Sequence, residues 1–275
     1  MARKVGGGGE VIVTVLSDLH CEIAAFNAQL PGGDLLILAG DITCARFFQS
    51  HRTDAEARSM RKMRLWSECA KYRRVFYVMG NHEPYHFDIA ATVATMRAYL
   101  AEAAPNVRIL DDEAEIFDGV RFIGGTLWTD MDRENPLAMV TAQRGMNDYA
   151  IITDGGARLT PAMTVARHKR TVAFLEHELA VQGPKVVITH HPPSLLSLNR
   201  EHSGNGLDGA FASNLHELIE GARDLRYWVH GHTHRSVAYT LPDNETVIFA
   251  NQRGYYGHEP AAKLFDPARG FEIAV

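Results

Sequence analysis

Five short runs in this 275-residue chain gather the residue types that bind cations and move protons: SDLH at 17–20, GD at 40–41, GNHE at 80–83, THH at 189–191 and GHTH at 231–234. Aspartate oxygens, an asparagine carbonyl and neutral imidazoles are borderline-to-hard ligands suited to Zn, Mn, Fe or Co, and no thiolate is among them. Asp18 and His20 are one residue apart, as are His232 and His234, so each pair projects from a turn toward one side. Gly231 permits the close backbone approach that such a bend requires. Two divalent ions roughly 3.5–4 Å apart need a bridging anion, and Asp41, alone after its glycine, is the candidate carboxylate. The chain has 14 histidines, of which His20, His82, His190, His191, His232 and His234 fall in these runs. Histidine is the commonest protein metal ligand and the usual acid or base near neutral pH, so the clustering points to chemistry more than to packing.

The runs share a position. Each follows an apolar stretch that reads as a strand, at 11–16, 35–39, 75–79, 185–189 and 227–229. In α/β sheets the loops at the carboxyl ends of strands converge on one crevice, which would bring these scattered residues together. Helices are expected over 54–74, over 88–103 with Pro105 closing it, over 161–180 with Thr160 as N-cap and Pro161 in the first turn, and over 211–220. Asp118-Gly119 between extended stretches at 115–117 and 120–123 marks a two-residue hairpin, so the sheet is mixed. Strands at 237–241, 247–250 and 271–275 finish the chain. Residues 130–160 lack clean periodicity and read as a loop-rich insertion, and 192–210 as a polar loop. Residues 1–10 read as a flexible Gly-rich leader. With no internal repeat or linker, 11–275 reads as a single domain.

Bulk properties narrow the class. The chain is 46% hydrophobic and 22% charged, an ordinary globular composition. A formal net charge of -5 and a sequence pI near 6.3 do not favour nucleic acid or an anionic membrane as partner. Cys21, Cys44 and Cys69 form no CxxC pair and fit buried small hydrophobes in a reducing compartment. The run VIVTVL at 11–16 is too short for a secretory core, and no stretch approaches the roughly 20 apolar residues of a membrane helix. A cytoplasmic protein without a membrane span is expected.

In these five blocks and their order, the chain resembles the calcineurin-like metallophosphoesterases, whose blocks run DxH, GD, GNH[DE], a histidine followed by proline, and GHxH; the match spans Asp18 to His234. The resemblance implies a four-layer α/β/β/α sandwich, two mixed β-sheets flanked by helices. It implies two metal ions, Asp18, His20, Asp41 and His234 holding one and Asp41, Asn81, His190 and His232 the other, with Asp41 as the bridge. Thr189-His190-His191-Pro192 offers two imidazoles; the family's spacing to the proline favours His190 and leaves His191 near the substrate. His82 matches the residue that touches the substrate phosphate and protonates the leaving oxygen, and Glu83 would orient its ring. The activity implied is hydrolysis of a phosphate monoester or diester, in which a metal-bridging hydroxide attacks phosphorus in line.

Arg46 and Arg253 are further substrate-side candidates, each with an ordinary surface reading of comparable weight, and His202 and Asn205 in the polar loop are weaker ones. The runs TLWTD at 126–130, MNDY at 146–149 and NQRGY at 251–255 resemble elements of a bacterial branch of the family. The Asp-Arg-Gly that follows the GD block in protein Ser/Thr phosphatases is absent, GDITCAR standing in its place, which argues against that activity. The expected partner is a small phosphorylated substrate. A nuclease or nucleotide phosphodiesterase of the same fold, and a non-catalytic metal-bound scaffold, are the alternatives.

Overall fold

The strands that carry the five runs are apolar along almost their whole length, as strands covered on both faces must be. The structure, a computed structural model, describes residues 9–199, 204, 206–242 and 244–275. Its thirteen strands are β1 Glu10–Leu16, β2 Gly33–Ala39, β3 Tyr72–Val78, β4 Val107–Ile109, β5 Glu113–Phe117, β6 Val120–Gly125, β7 Thr153–Asp154, β8 Ala157–Arg158, β9 Lys185–Thr189, β10 Leu225–Val229, β11 Val237–Thr240, β12 Val247–Ala250 and β13 Gly270–Ala274.

They form two large sheets and one two-stranded hairpin. The first sheet runs β13-β1-β2-β3-β4 and the second β11-β12-β10-β9-β6-β5. Both are mixed. β1 to β4 are parallel with β13 antiparallel at one edge, and β6, β9, β10 and β12 are parallel with β5 and β11 antiparallel at the two edges. The β5–β6 turn is the expected hairpin, with Asp118 at φ 45° and Gly119 at φ 81°.

Alternation along each strand builds the layers. Val13, Val15, Leu35, Ile37, Phe76 and Val78 face Phe122, Val186, Ile188 and Val229 to fill the space between the sheets. The opposite face of the first sheet (Leu16, Leu36, Leu38, Val75, Tyr77) packs on Ala57, Leu65, Trp66, Met96 and Leu100. The outer face of the second sheet (Ile123, Val187, Trp228, Ile248) packs on Leu175, Leu179 and Ile219. The result is the four-layer α/β/β/α sandwich. No helix among the described residues is long and apolar enough to cross a membrane.

Helices Ile89–Ala103 and Pro161–Leu179 match expectation, the second capped by Thr160, whose side chain accepts the Met163 N–H. Elsewhere the structure differs. The stretch 54–74 is two helices, Ala55–Arg61 and Arg64–Cys69, because Met63 turns extended (φ -56°, ψ 132°) and buries its side chain. Residues 211–220 likewise split between Asp208–Phe211 and His216–Gly221, with Ala212 extended. The segment 130–160 is mostly helical: Met131–Glu134 makes one left-handed turn, Pro136–Gly145 a helix capped by Asn135, and Asp148–Ile151 another turn. It has its own apolar cluster, including Trp128, Met131, Tyr149 and Val165. Most of the leader lies outside the described residues, as do His202 and Asn205 of the 192–210 loop.

Candidate active site

Leaving β1, β2, β3, β9 and β10, the chain places Asp18, His20, Asp41, Asn81, His190, His232 and His234 in one buried crevice at the meeting of the two sheets. All are nearly inaccessible except His234, which is partly buried. Asp18, His20, Asp41, His232 and His234 sit at positive φ, between 44° and 75°. That region costs a non-glycine residue about 1–3 kcal/mol, and such strain persists where the surroundings over-determine it. The flanking glycines serve close approach. A Cβ on Gly231 would lie 2.7 Å from both Asp18 Oδ2 and the Ala39 carbonyl oxygen, and one on Gly80 would strike the Asp41 carboxylate.

Among the described residues three groups have potential ligand atoms within 4.8 Å of one another: Asp18, His20 and His234; Asp41, His190 and His232; and His20, Glu22 and His82, which shares His20 with the first. Asp41 faces the first two, its Oδ2 lying 3.8 Å from His20 Nε2 and its Oδ1 3.4 Å from His190 Nε2. Asn81 Oδ1 is 3.0 Å from His190 Nε2. Asp41 Oδ1 also accepts the His82 backbone N–H, and Asp18 Oδ1 that of His232, which ties the loops together. Asp41 keeps its carboxyl well below the usual range: burial opposes this, and the His190 and His82 charges outweigh it.

The imidazole tautomers follow from what the other ring nitrogen touches. His190 Nδ1 donates to the Ala39 carbonyl at 2.9 Å, His20 Nδ1 to Glu22 at 3.2 Å and His234 Nδ1 to Glu259 at 2.8 Å. In the neutral form of each ring this leaves Nε2 as the lone-pair nitrogen turned into the crevice, the arrangement by which proteins orient metal-binding histidines. His232 Nε2 and Asp18 Oδ2 are buried with no hydrogen-bond partner among the described residues. Orphaned groups of this kind are costly without a cation to meet them, so this donor set fits metal ions.

His82 lines the same cleft as Asp41 and Asn81 and groups with His20 and Glu22. Its Nδ1 lies 3.1 Å from Glu22 Oε1, its Nε2 3.3 Å from the Tyr255 hydroxyl, and its ring stacks on Tyr85 at 4.0 Å. Burial disfavours charge on this ring, but Asp41 and Glu22 outweigh it and raise the imidazole to about 9. The expectation that Glu83 orients His82 is not met. Glu83 is fully buried and accepts the N–H groups of Gly80, Asp41 and Ile42 and the Tyr77 hydroxyl, so it closes the loop beneath the site. Burial and the neighbouring Asp41 push its carboxyl up to about 7.

Glu22, Glu259 and Tyr85 thus complete the site and were missed by motif reading, although Glu22 and Tyr85 lie within two residues of His20 and Glu83; Tyr255 closes the NQRGY run, in which only Arg253 was singled out. His191 Nδ1 faces the Thr126 carbonyl at 3.3 Å and its ring packs against Trp128 and His232. Arg253 does not reach the crevice: it donates to the carbonyls of Leu19, Ala24 and Ala25. Holding that loop through a fixed fork of donors leaves it no role on a phosphate. Arg46 turns to Glu56, 3.7 Å away, and to the Phe47 ring. A cleft of about 720 Å³ opens from Asp41, Asn81, His82 and His232 toward Met146, Asp148 and Phe211.

Comparison with known proteins agrees with this geometry. The chain aligns at 24% identity over 216 residues with the protein L509 of Acanthamoeba polyphaga mimivirus, covering 68% of this chain and 70% of that one. Among solved structures, phosphopantetheinyl hydrolase PptH from Mycobacterium tuberculosis superposes with a TM-score of 0.62 at 18% identity, over 90% of this chain and 91% of that one. A dimetal phosphatase from Danio rerio superposes with a TM-score of 0.50 at 13% identity, over 91% and 89%. At such identities these two show the shared fold. The sequence pattern of the calcineurin-like phosphoesterases matches residues 12–236, most of the chain, and the protein belongs to that family.

Proposed function

We propose that the protein is a dinuclear metal-dependent phosphoesterase that hydrolyses a phosphate monoester or diester. Asp18, His20, Asp41 and His234 hold one ion, and Asp41, Asn81, His190 and His232 the other. The observation that carries this reading is the placement of Asp41, whose two oxygens face histidines of different clusters. When bound, the two ions supply Lewis acidity toward the phosphoryl oxygens and lower the pKa of water. Manganese, zinc, iron and cobalt all suit the donor set.

The chain's own residues divide the remaining work. Breaking the P–O bond leaves an alkoxide that needs a proton, and His82 Nε2, 3.9 Å from Asp41 Oδ2, supplies it. Glu22 fixes the ring through Nδ1 and favours its protonated form, while Tyr85 holds its plane. His191, packed against Trp128 and His232, supports the second cluster from behind.

The test is a paired assay of purified protein on aryl phosphate mono- and diesters with Mn, Zn, Fe, Co or Mg. Metal-dependent turnover is expected, together with its loss in Asp41→Asn. Metal-independent turnover, or full activity in Asp41→Asn, would refute the reading.

A further inference from the structure

The wall of the cleft away from the metal cage carries an acceptor that has no hydrogen-bond partner among the described residues. Asp148 is 2% exposed and lines the cleft. Its Oδ2 takes the Tyr85 hydroxyl at 3.2 Å, whereas its Oδ1 is buried with no hydrogen-bond partner. An unmatched buried carboxylate oxygen is destabilising, so a donor arriving from the cleft would be bound strongly there. The wall cannot readily relax to hide the oxygen. Tyr149, next in the chain, is buried in the cluster of Trp128, Met131 and Val165 and shares a hydrogen bond with Thr164.

The position suits one part of a substrate. Tyr85 stacks on His82 and reaches Asp148, so the free oxygen lies one aromatic ring beyond the group assigned to protonate the leaving oxygen. Apolar surface adjoins it: Met146, Leu207 and Phe211 line the same cleft, Phe211 with its ring 4.9 Å from that of His232. Among the described lining residues there is no Lys or Arg.

We propose that Asp148 Oδ1 receives a hydrogen-bond donor on the leaving group, and that the substrate is a phosphoester of an alcohol joining an apolar body to an ammonium or hydroxyl group. This deepens the phosphoesterase reading and rests on it for the term "leaving group". The subsite itself is testable without turnover.

Calorimetric titration of the full chain with tyramine and with 4-ethylphenol, which shares the phenol ring and hydroxyl and lacks only the ammonium, measures it directly. Tyramine binds at least about tenfold more tightly, the scale of one hydrogen bond to a charged group. In Asp148→Leu and Asp148→Asn the advantage falls below about threefold, with melting curves reporting that each variant is folded. Phe211→Ala weakens both probes and keeps their ratio, and it tests the subsite independently of any change at Asp148. Equal affinities in the unaltered protein, no binding of tyramine, or an advantage that survives Asp148→Leu overturns the proposal. Absence of turnover on every aryl phosphate, by contrast, would refute the phosphoesterase reading and leave these binding ratios intact.

Discussion

His20 and His234 point their Nε2 atoms at one another across 3.0 Å, although each ring has its Nδ1 on a carboxylate, Glu22 for one and Glu259 for the other. With Nδ1 as the donor in both rings, their neutral forms would set two lone pairs against each other. A cation between them removes the conflict, and Glu259 keeps His234 in the tautomer that can bind it.

Glu259→Gln should therefore weaken the cluster's metal affinity by about 10- to 100-fold, the usual effect of removing a carboxylate behind a metal-binding histidine. Metal titration by calorimetry checks this. An unchanged affinity would mean that the Glu259 contact only braces its loop.

Glu22→Gln should lower kcat mainly on substrates with poor leaving groups. Loss of general acid catalysis costs about 10²–10⁴-fold for an alkyl ester and far less for a nitrophenyl ester, whose leaving oxygen needs no proton. Because Glu22 also touches His20, bound metal has to be measured in the same preparation. An equal loss on both substrate types would remove the proton-donor role from His82.

Glu83→Ala should act on stability. It strands the buried Tyr77 hydroxyl and three backbone N–H groups, and the loss expected is on the order of 3–5 kcal/mol. Urea unfolding reads it. A fully stable Glu83→Ala variant with impaired turnover would restore Glu83 to the role of orienting His82.

Glu68 gives the fold an acid-sensitive contact away from the site. Burial resists its ionisation, but Lys71, the Leu30 N–H and Arg64 outweigh that and depress its folded-state pKa. A depressed carboxylate stabilises above its unfolded pKa, and the contribution is lost as pH falls through the folded value. Stability of the unaltered protein should thus drop more than that of Glu68→Gln between neutral pH and pH below about 4, the carboxylate range. Parallel acid limbs in urea unfolding would contradict this.

How much of this was legible in the chain depends on range. The convergence of the five runs on one crevice was, because each follows an apolar strand, and Asp41, Asn81 and His232 each stand beside a glycine that a side chain would foul. Glu259 was not, since its partner His234 lies 25 residues away and no local pattern joins them. Glu83 was misread because adjacency to His82 in sequence says nothing of direction: its side chain turns back under Gly80. The helix Pro136–Gly145 was hidden by Leu137 and Val140, which are 74% and 46% exposed and blur the apolar face. Met63 broke an apparently continuous helix by burying its side chain from an extended backbone, a tertiary choice that local spacing does not record.

The central claim is that Asp41 joins two metal ions. Metal content by mass spectrometry, measured on the unaltered protein and on Asp41→Asn after loading with manganese or zinc and gel filtration, tests it most directly. The account predicts about two equivalents per chain in the former and a loss of at least about one in the variant, following the two-ion arrangement. Two retained equivalents in a folded Asp41→Asn, or a single equivalent in the fully active unaltered protein, would contradict it.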